Sequence, residues 1–354
     1  MTLENLGWDG RREEQFAPFR ADGLEPGRVA LEHTHIYRVV TPSEDVLARV
    51  AGRLRHEAAS RKDFPAVGDW VALKSGSSGP TIHAVLPRTS QFLRKVAGRR
   101  AEEQVVAANV DTVFLVTGLD GDFNVRRIER YLILVWESGA QPMVVLNKAD
   151  LADDLDRRIA ETARVAAGTP VLVTSTKSGA GLDALSEHLE PGRTFAFLGS
   201  SGVGKSSIIN RLAGHDLLKI SEVRESDSRG RHTTSYRQLV VLPGGALVID
   251  TPGMREIQLW DVDEGISEVF QDIAALAPGC RFRDCQHRTE PGCAVRAAID
   301  AGELDAGRLE NYLKLQDERR SLEARVDERA LQEAKRLGKI QSKAIKRMQK
   351  DRGR

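Results

Sequence analysis

The chain has 354 residues, enough for two or three domains, and its 52 Lys plus Arg against 51 Asp plus Glu leave a formal net charge of only +1. At 29% charged and 5% aromatic it is built to fold around aliphatic cores, and no run of eighteen or more apolar residues offers a membrane span. The opening segment MTLENLGWDGRREEQFAPF is mixed and acidic rather than basic then apolar, so it does not read as a secretory signal and a cytoplasmic location is expected.

Residues 1–102 read as an N-terminal extension followed by short strands: GRVALEHTHIYRVVT, EDVLARVAGRL, VGDWVALK and PTIHAVLP, separated by Gly, Pro, Ser and Asp. No helical pattern of useful length interrupts them. Several short antiparallel strands in so small a segment predict an all-β barrel of the OB type, and an SH3-like barrel would leave a similar trace. Residues 103–265 alternate continuous apolar strands (VDTVFLVTG, QPMVVLNKAD, TPVLVTSTK, RTFAFLG, YRQLVVLPGG, GALVIDTPG) with helical stretches such as VRRIERYLILVWESG. That pattern predicts an α/β domain with a mostly parallel sheet covered on both faces. Residues 266–354 turn mainly helical around a cysteine window and end in a tail in which Lys335, Arg336, Lys339, Lys343, Lys346, Arg347, Lys350, Arg352 and Arg354 outnumber Glu333 and Asp351.

The strand RTFAFLG runs into Gly199-Ser200-Ser201-Gly202-Val203-Gly204-Lys205-Ser206-Ser207 and then a helix, the context of a phosphate loop. Its backbone N–H groups and the helix N-terminus suit phosphate oxygens. Lys205 is placed to reach the β- and γ-phosphates and Ser206 to ligate Mg²⁺. Asp250, ending the strand GALVID, fits the carboxylate that holds Mg²⁺ through water, and Gly253 the γ-phosphate sensor. In the loop GRHTTSYR, Thr233 or Thr234 can supply the threonine that binds Mg²⁺ when the γ-phosphate is present, with Thr234 preferred. Base choice is read from Asn147-Lys148-Ala149-Asp150. The Asp150 carboxylate accepts from guanine N1–H and the exocyclic amine, Asn147 can donate to N7, and the Lys148 stem can lie along the base plane. Ser175-Thr176-Lys177 fits the loop whose N–H meets the guanine oxygen.

These elements run base, base, phosphate, switch, switch. The base-reading motif therefore precedes the phosphate loop, the reverse of an ordinary G protein, and a circular permutation joined through GLDALSEHLEPGRT closes the same sheet. Where Ras-like enzymes place a water-orienting glutamine the chain has Met254. A thioether cannot polarise water, so unassisted hydrolysis should be slow, and His232 is the nearby residue with suitable chemistry for the task.

The three cysteines fall in one window, Cys280-x4-Cys285-x-His287-x5-Cys293. Three thiolates and an imidazole at loop-forming spacing suit a closed tetrahedral, structural Zn²⁺ site. Together with the barrel and the basic tail, the module makes RNA contact the favoured reading over a merely solvated tail.

With these motifs placed, the chain resembles the ribosome small-subunit-dependent GTPase A family of bacteria. NKAD (147–150), TSTK (174–177), GSSGVGKSS (199–207), GRHTT (230–234), DTPG (250–253) and the Cys280/Cys285/His287/Cys293 spacing carry the match, with VGDW (67–70), RTSQFLRK (88–95) and DFNVRRIERYL (122–132) as weaker support. Ser235 and Tyr236 depart from the family's usual Thr then His. The resemblance implies an OB domain, a permuted GTPase domain and a zinc domain. It further implies GTP hydrolysis, with Mg²⁺, stimulated by the small ribosomal subunit and its rRNA during late maturation. A monomer with no membrane or DNA partner is expected; a GTP-holding RNA scaffold and a translation-associated GTPase are the alternatives.

Overall fold

In a computed structural model the chain is described over residues 2–33, 35–76, 79–96, 102–166, 168–217, 238–250, 263–321 and 324. These residues fall into two compact units, one within Met1–Gln258 and Asp263–Gln271, the other within Leu259–Val262 and Asp272–Arg354. No described helix is long and apolar enough to cross a membrane.

The first unit begins with helix α1 (Gly10–Ala21), capped by Asp9, whose side chain accepts from Arg12 N–H. A five-strand barrel follows: β1 (Glu25–His33), β2 (Ile36–Val40), β3 (Asp45–Val50), helix α2 (Gly52–Glu57), β4 (Trp70–Lys74) and β5 (Thr81–Val85). Its strands close in the order β1-β2-β3-β5-β4 with β4 returning to β1, and β3 pairs β5 in parallel. That parallel closure makes it an OB barrel rather than an SH3-like one. Alternating side chains (Val29, Tyr37, Val39, Ala48, Val50, Val71, Leu73, Ile82) fill its interior.

Two expectations for this region need correction. The run GRVALEHTHIYRVVT is a hairpin, not one strand, because the chain turns at His35, a left-handed residue (φ 66). Helices do interrupt the strands: EDVLARVAGRL leaves the sheet after Val50 and winds into α2, and α1 precedes the barrel. Helix α1 buries only Arg12 and Phe16, so it lacks the apolar stripe that would betray a helix, and it carries Pro18 inside.

A separate hairpin, β6 (Gln91–Val96) with β7 (Glu102–Ala108), leads into the second sheet region. There, β8 (Thr112–Gly118), helix α3 (Val125–Ser138), β9 (Gln141–Asn147), helix α4 (Leu155–Val165), β10 (Val171–Val173), helix α5 (Leu182–Glu187), β11 (Thr194–Leu198), helix α6 (Lys205–Ala213), β12 (Gln238–Val241) and β13 (Leu247–Asp250) assemble in the order β10-β9-β8-β11-β13-β12. All neighbours are parallel except β12 with β13. Phe114, Phe195 and Phe197 stack inside one face with Val203, Ile208 and Ile209 of the loop and helix after β11. Helix α7 (Asp263–Val269) packs on α3, where the Glu137 carboxylate accepts Gly265 N–H at 2.9 Å.

The barrel and this sheet are continuous, because β1 pairs β12 at Leu31↔Gln238. Arg28, fully buried at their junction, donates to the carbonyls of Leu6, Gly68 (3.2 Å) and Asn109 (3.2 Å) and to Thr194 Oγ1 (2.8 Å). Desolvation lowers its pKa to about 10, so it stays charged at neutral pH. A buried guanidinium is tolerated only when its donors find acceptors, and here they tie together the N-terminal segment, the barrel, the connector and β11.

In the second unit, residues after α8 (Gln271–Leu276) form the cysteine loop, α9 (Ala294–Asp300) and a helix over 306–321. Val295, Ala298, Leu304, Leu309 and Leu315 are its buried apolar side chains, and Arg308 pairs with Asp272.

Candidate functional site

The sheet puts β9, β8 and β11 side by side, so the residues that leave their C-terminal ends meet even though the motifs are far apart in sequence. Asn147 is fully buried. Its Nδ2 donates to Val203 O in the glycine-rich loop at 2.9 Å, and its Oδ1 accepts from Thr174 Oγ1 (3.1 Å) and Thr176 N–H (3.3 Å). One side chain thus ties its own loop to the glycine-rich loop and to the Thr174–Thr176 loop. The approach is so close that a Cβ on Gly204 would lie 2.2 Å from Asn147 Nδ2, and Gly204 also has φ +99, so only glycine fits.

Lys148 takes a left-handed conformation (φ 65), and its Nζ lies 2.5 Å from Asp120 Oδ2. Asp150 accepts from Ser175 Oγ at 2.5 Å, with Lys177 Nζ at 4.0 Å. The Ser175 hydroxyl, above all, holds the Asp150 carboxyl below the usual carboxylate range, so it stays ionised and acceptor-only. Ser175 is itself fixed: it is buried, and its Oγ accepts Ser178 N–H at 3.2 Å. Ala149 N–H is occupied by Thr174 O (3.1 Å), which sets the turn between the two motif strands.

In the glycine-rich loop, Lys205 Nζ donates to the carbonyls of Gly199 (2.7 Å) and Ser200 (2.5 Å). Turning these carbonyls towards the ammonium leaves the loop's N–H groups free to converge on an anion, at the N-terminus of α6. Ser206 lies in the first turn of α6, and Asp250 ends β13, the parallel neighbour of β11 (Ala196↔Ile249). A hydroxyl and a carboxylate at adjacent strand ends are the hard-oxygen donors that Mg²⁺ takes. His232, Thr233, Thr234, Gly253 and Met254 lie outside the described residues, as does the basic tail.

In the second unit Cys280, Cys285, His287 and Cys293 converge, their ligand atoms all within 4.8 Å of one another. Cys280 Sγ is 3.9 Å from Cys293 Sγ and 3.5 Å from His287 Nδ1, which is 3.4 Å from Cys293 Sγ. A tetrahedral ion with the usual Zn–S and Zn–N bond lengths would set sulfurs about 3.8 Å apart and sulfur from nitrogen about 3.5 Å, so the four groups fit one metal ion. The loop is braced by Glu290. Its own backbone N–H and those of Gln286, Arg288 and Thr289 pull this carboxylate down to about 2.

Residues 85–260 match the model of the RsgA GTPase family. The small ribosomal subunit biogenesis GTPase RsgA of Opitutus terrae is 52% identical over 338 residues, covering 92% of each chain. That of Syntrophotalea carbinolica is 46% identical over 323 residues, 89% of this chain and 88% of its own. The chain belongs to the RsgA GTPase family. Among solved structures, YjeQ from Thermotoga maritima superposes with a TM-score of 0.63 at 29% identity, covering 83% of this chain and 98% of its own. YloQ, a circularly permuted GTPase, gives a TM-score of 0.59 at 27% identity, covering 85% and 96%.

Like its RsgA relatives, this chain is a GTP hydrolase with a permuted G domain, and the strand order shows how the permutation is accommodated. Strands β8, β9 and β10 lie on one side of β11, and β13 and β12 on the other, so strands early in the chain and strands late in it share one sheet around β11. Sequence reasoning missed Thr174 as a ligand of Asn147 and Asp120 as the partner of Lys148. Thr174 lies inside the TSTK stretch, but only the fold shows that its hydroxyl donates to Asn147. Asp120 belongs to no spacing pattern and is visible only once β8 lies beside β9.

Proposed function

We propose that this chain is a GTPase of small ribosomal subunit biogenesis that binds the small subunit and its rRNA and hydrolyses GTP as a late checkpoint, slowly alone and faster on the subunit. The observation that carries this reading is the kinship, at 52% identity over 92% of both chains, with a protein whose name states that role. The hydrogen bonds that draw the Asn147, Ser175 and Val203 loops together support the nucleotide assignment. Asp150 selects guanine, with Asn147, Lys148, Ala149 and the Ser175-Thr176-Lys177 loop around it. The loop from Gly199 to Ser207 holds the phosphates. Ser206, Asp250 and Thr234 would hold Mg²⁺, whose chemistry there is neutralisation of phosphate charge. Lys205 stabilises charge on the transferred phosphate, Gly253 senses it, Thr233 is the alternative to Thr234 as the Mg²⁺-binding threonine, and His232 orients water.

In this reading residues 1–102 form the RNA-binding barrel with its extension, 103–265 the permuted GTPase domain, and 266–354 a zinc domain ending in a basic RNA-contacting tail, in a cytoplasmic monomer. The four cysteine-loop ligands hold Zn²⁺ structurally, since no coordination position stays open. Co-sedimentation with purified small subunits tests the partner. Binding should be tight with a non-hydrolysable GTP analogue, weaker with GDP, and less salt-dependent once residues 331–354 are removed. Equal binding in all nucleotide states would count against a checkpoint.

A further inference from the structure

Asp120 lies two residues beyond β8, in the turn that leads to α3. Both of its carboxylate oxygens are committed. Oδ1 accepts Asp122 N–H at 3.1 Å, and Oδ2 meets Lys148 Nζ at 2.5 Å. Gly118 makes room for this carboxylate, since a Cβ there would lie 2.8 Å from Asp120 Oδ1. The turn is also held from behind. Phe123 N–H (3.2 Å) and Arg158 Nη1 (3.3 Å) donate to the Asp120 carbonyl. The Arg158 guanidinium lies over the Phe123 ring at 5.3 Å and donates to Asp154 at 2.6 Å.

Lys148 is fixed at its other end by a left-handed backbone that costs an ordinary residue energy, a conformation kept only where surroundings impose it. Its side chain therefore has both ends determined, and the methylenes between them form a fixed apolar strip. The tether has a second consequence. Asp150 stands two residues away, and an untethered ammonium would be drawn to that carboxylate, which a guanine must then win back.

We propose that Asp120 is a positioning residue for guanine recognition. It holds the Lys148 ammonium away from Asp150 and sets the lysine stem as a rigid face for the base. The proposal rests on the placing of guanine at Asn147–Asp150.

Asp120→Asn keeps the size of the side chain and removes its charge, and Lys148→Met keeps an apolar stem without the ammonium. The affinity of a fluorescent GDP analogue is measured for the wild type, each variant and the double variant, alongside GTP hydrolysis and thermal melting. Asp120→Asn should weaken GDP about fivefold when Lys148 is present and less than about twofold in the Lys148→Met background. The Michaelis constant for GTP should rise while kcat and the melting midpoint stay unchanged, which a merely structural defect would not produce. An unchanged GDP affinity in Asp120→Asn, or a loss of the same size in both backgrounds, overturns the proposal. Asp150→Asn, assayed with xanthosine diphosphate, separates the two claims. If it switches base preference while Asp120→Asn is silent, only the positioning role falls. If it still binds GDP as the wild type does, the base placement falls and the proposal with it.

Discussion

The nucleotide site and the cysteine loop are organised by opposite means. The first is organised by hydrogen bonds from side chains to backbone: Asn147 ties two other loops to its own, Lys205 folds the phosphate loop around its own ammonium, and Gly204 permits the close approach of Asn147. It rests on a sheet of buried Phe and Val side chains. The second is four side chains on a loop with little apolar burial of its own, gathered at spacings that fit one shared ion. The difference teaches where each site's stability comes from: in one the fold makes the site, in the other the site makes the fold.

The sharpest way to break that contrast is to take the ion away. Chelation, or Cys285→Ser, should unfold the second unit, because a structural zinc site supplies on the order of 10 kcal/mol of folding free energy. GDP affinity should be untouched. Elemental analysis should find about one zinc per chain before chelation, and a second unit whose circular dichroism ignores the chelator would show that the loop stands without metal. Next in size, Lys205→Ala removes the ammonium that folds the loop and that the proposed reading brings to the phosphates. It should cost about 100-fold in GTP affinity by isothermal titration, and full retention would mean the loop is shaped by something else.

Asp150→Asn should weaken GTP by about 100-fold and raise affinity for xanthosine triphosphate, whose C2 oxygen needs a donor. The smallest effect tests the support beneath that carboxylate. Ser175→Ala should weaken GDP about fivefold at neutral pH. Because the Ser175 hydroxyl lowers the Asp150 pKa, the ionised form proposed to bind guanine survives mild acid in the wild type. In the variant the pKa rises towards its ordinary value near 4, so as pH falls affinity should be lost earlier than in the wild type. Superimposable GDP affinity profiles between about pH 4 and 7 would contradict that role.

The chemistry of both sites was legible in the sequence because it lies in residue types that few other arrangements need. A glycine-rich loop between strand and helix, an Asp after an apolar strand, and three cysteines beside one histidine each have a narrow meaning. The mostly parallel sheet was legible too, since continuous apolar runs alternated with helical stretches. What the sequence hid is what depends on distant neighbours. Helix α1 has no apolar stripe, because two side chains, Phe16 and Arg12, bury it. Nothing in the sequence marks Arg28 and Arg12 as buried, yet both are, Arg12 donating to Pro87 O at 2.6 Å and Asn109 Oδ1 at 2.7 Å. Asp120 was a turn residue like any other until β8 and β9 were side by side.

The central claim, that GTP turnover on this scaffold answers to the small ribosomal subunit, is tested most directly by single-turnover and steady-state GTP hydrolysis with and without purified small subunits. The account predicts slow turnover alone and a rise of at least about tenfold with subunits, because Met254 supplies no water-orienting group. Identical rates in the two conditions would contradict it.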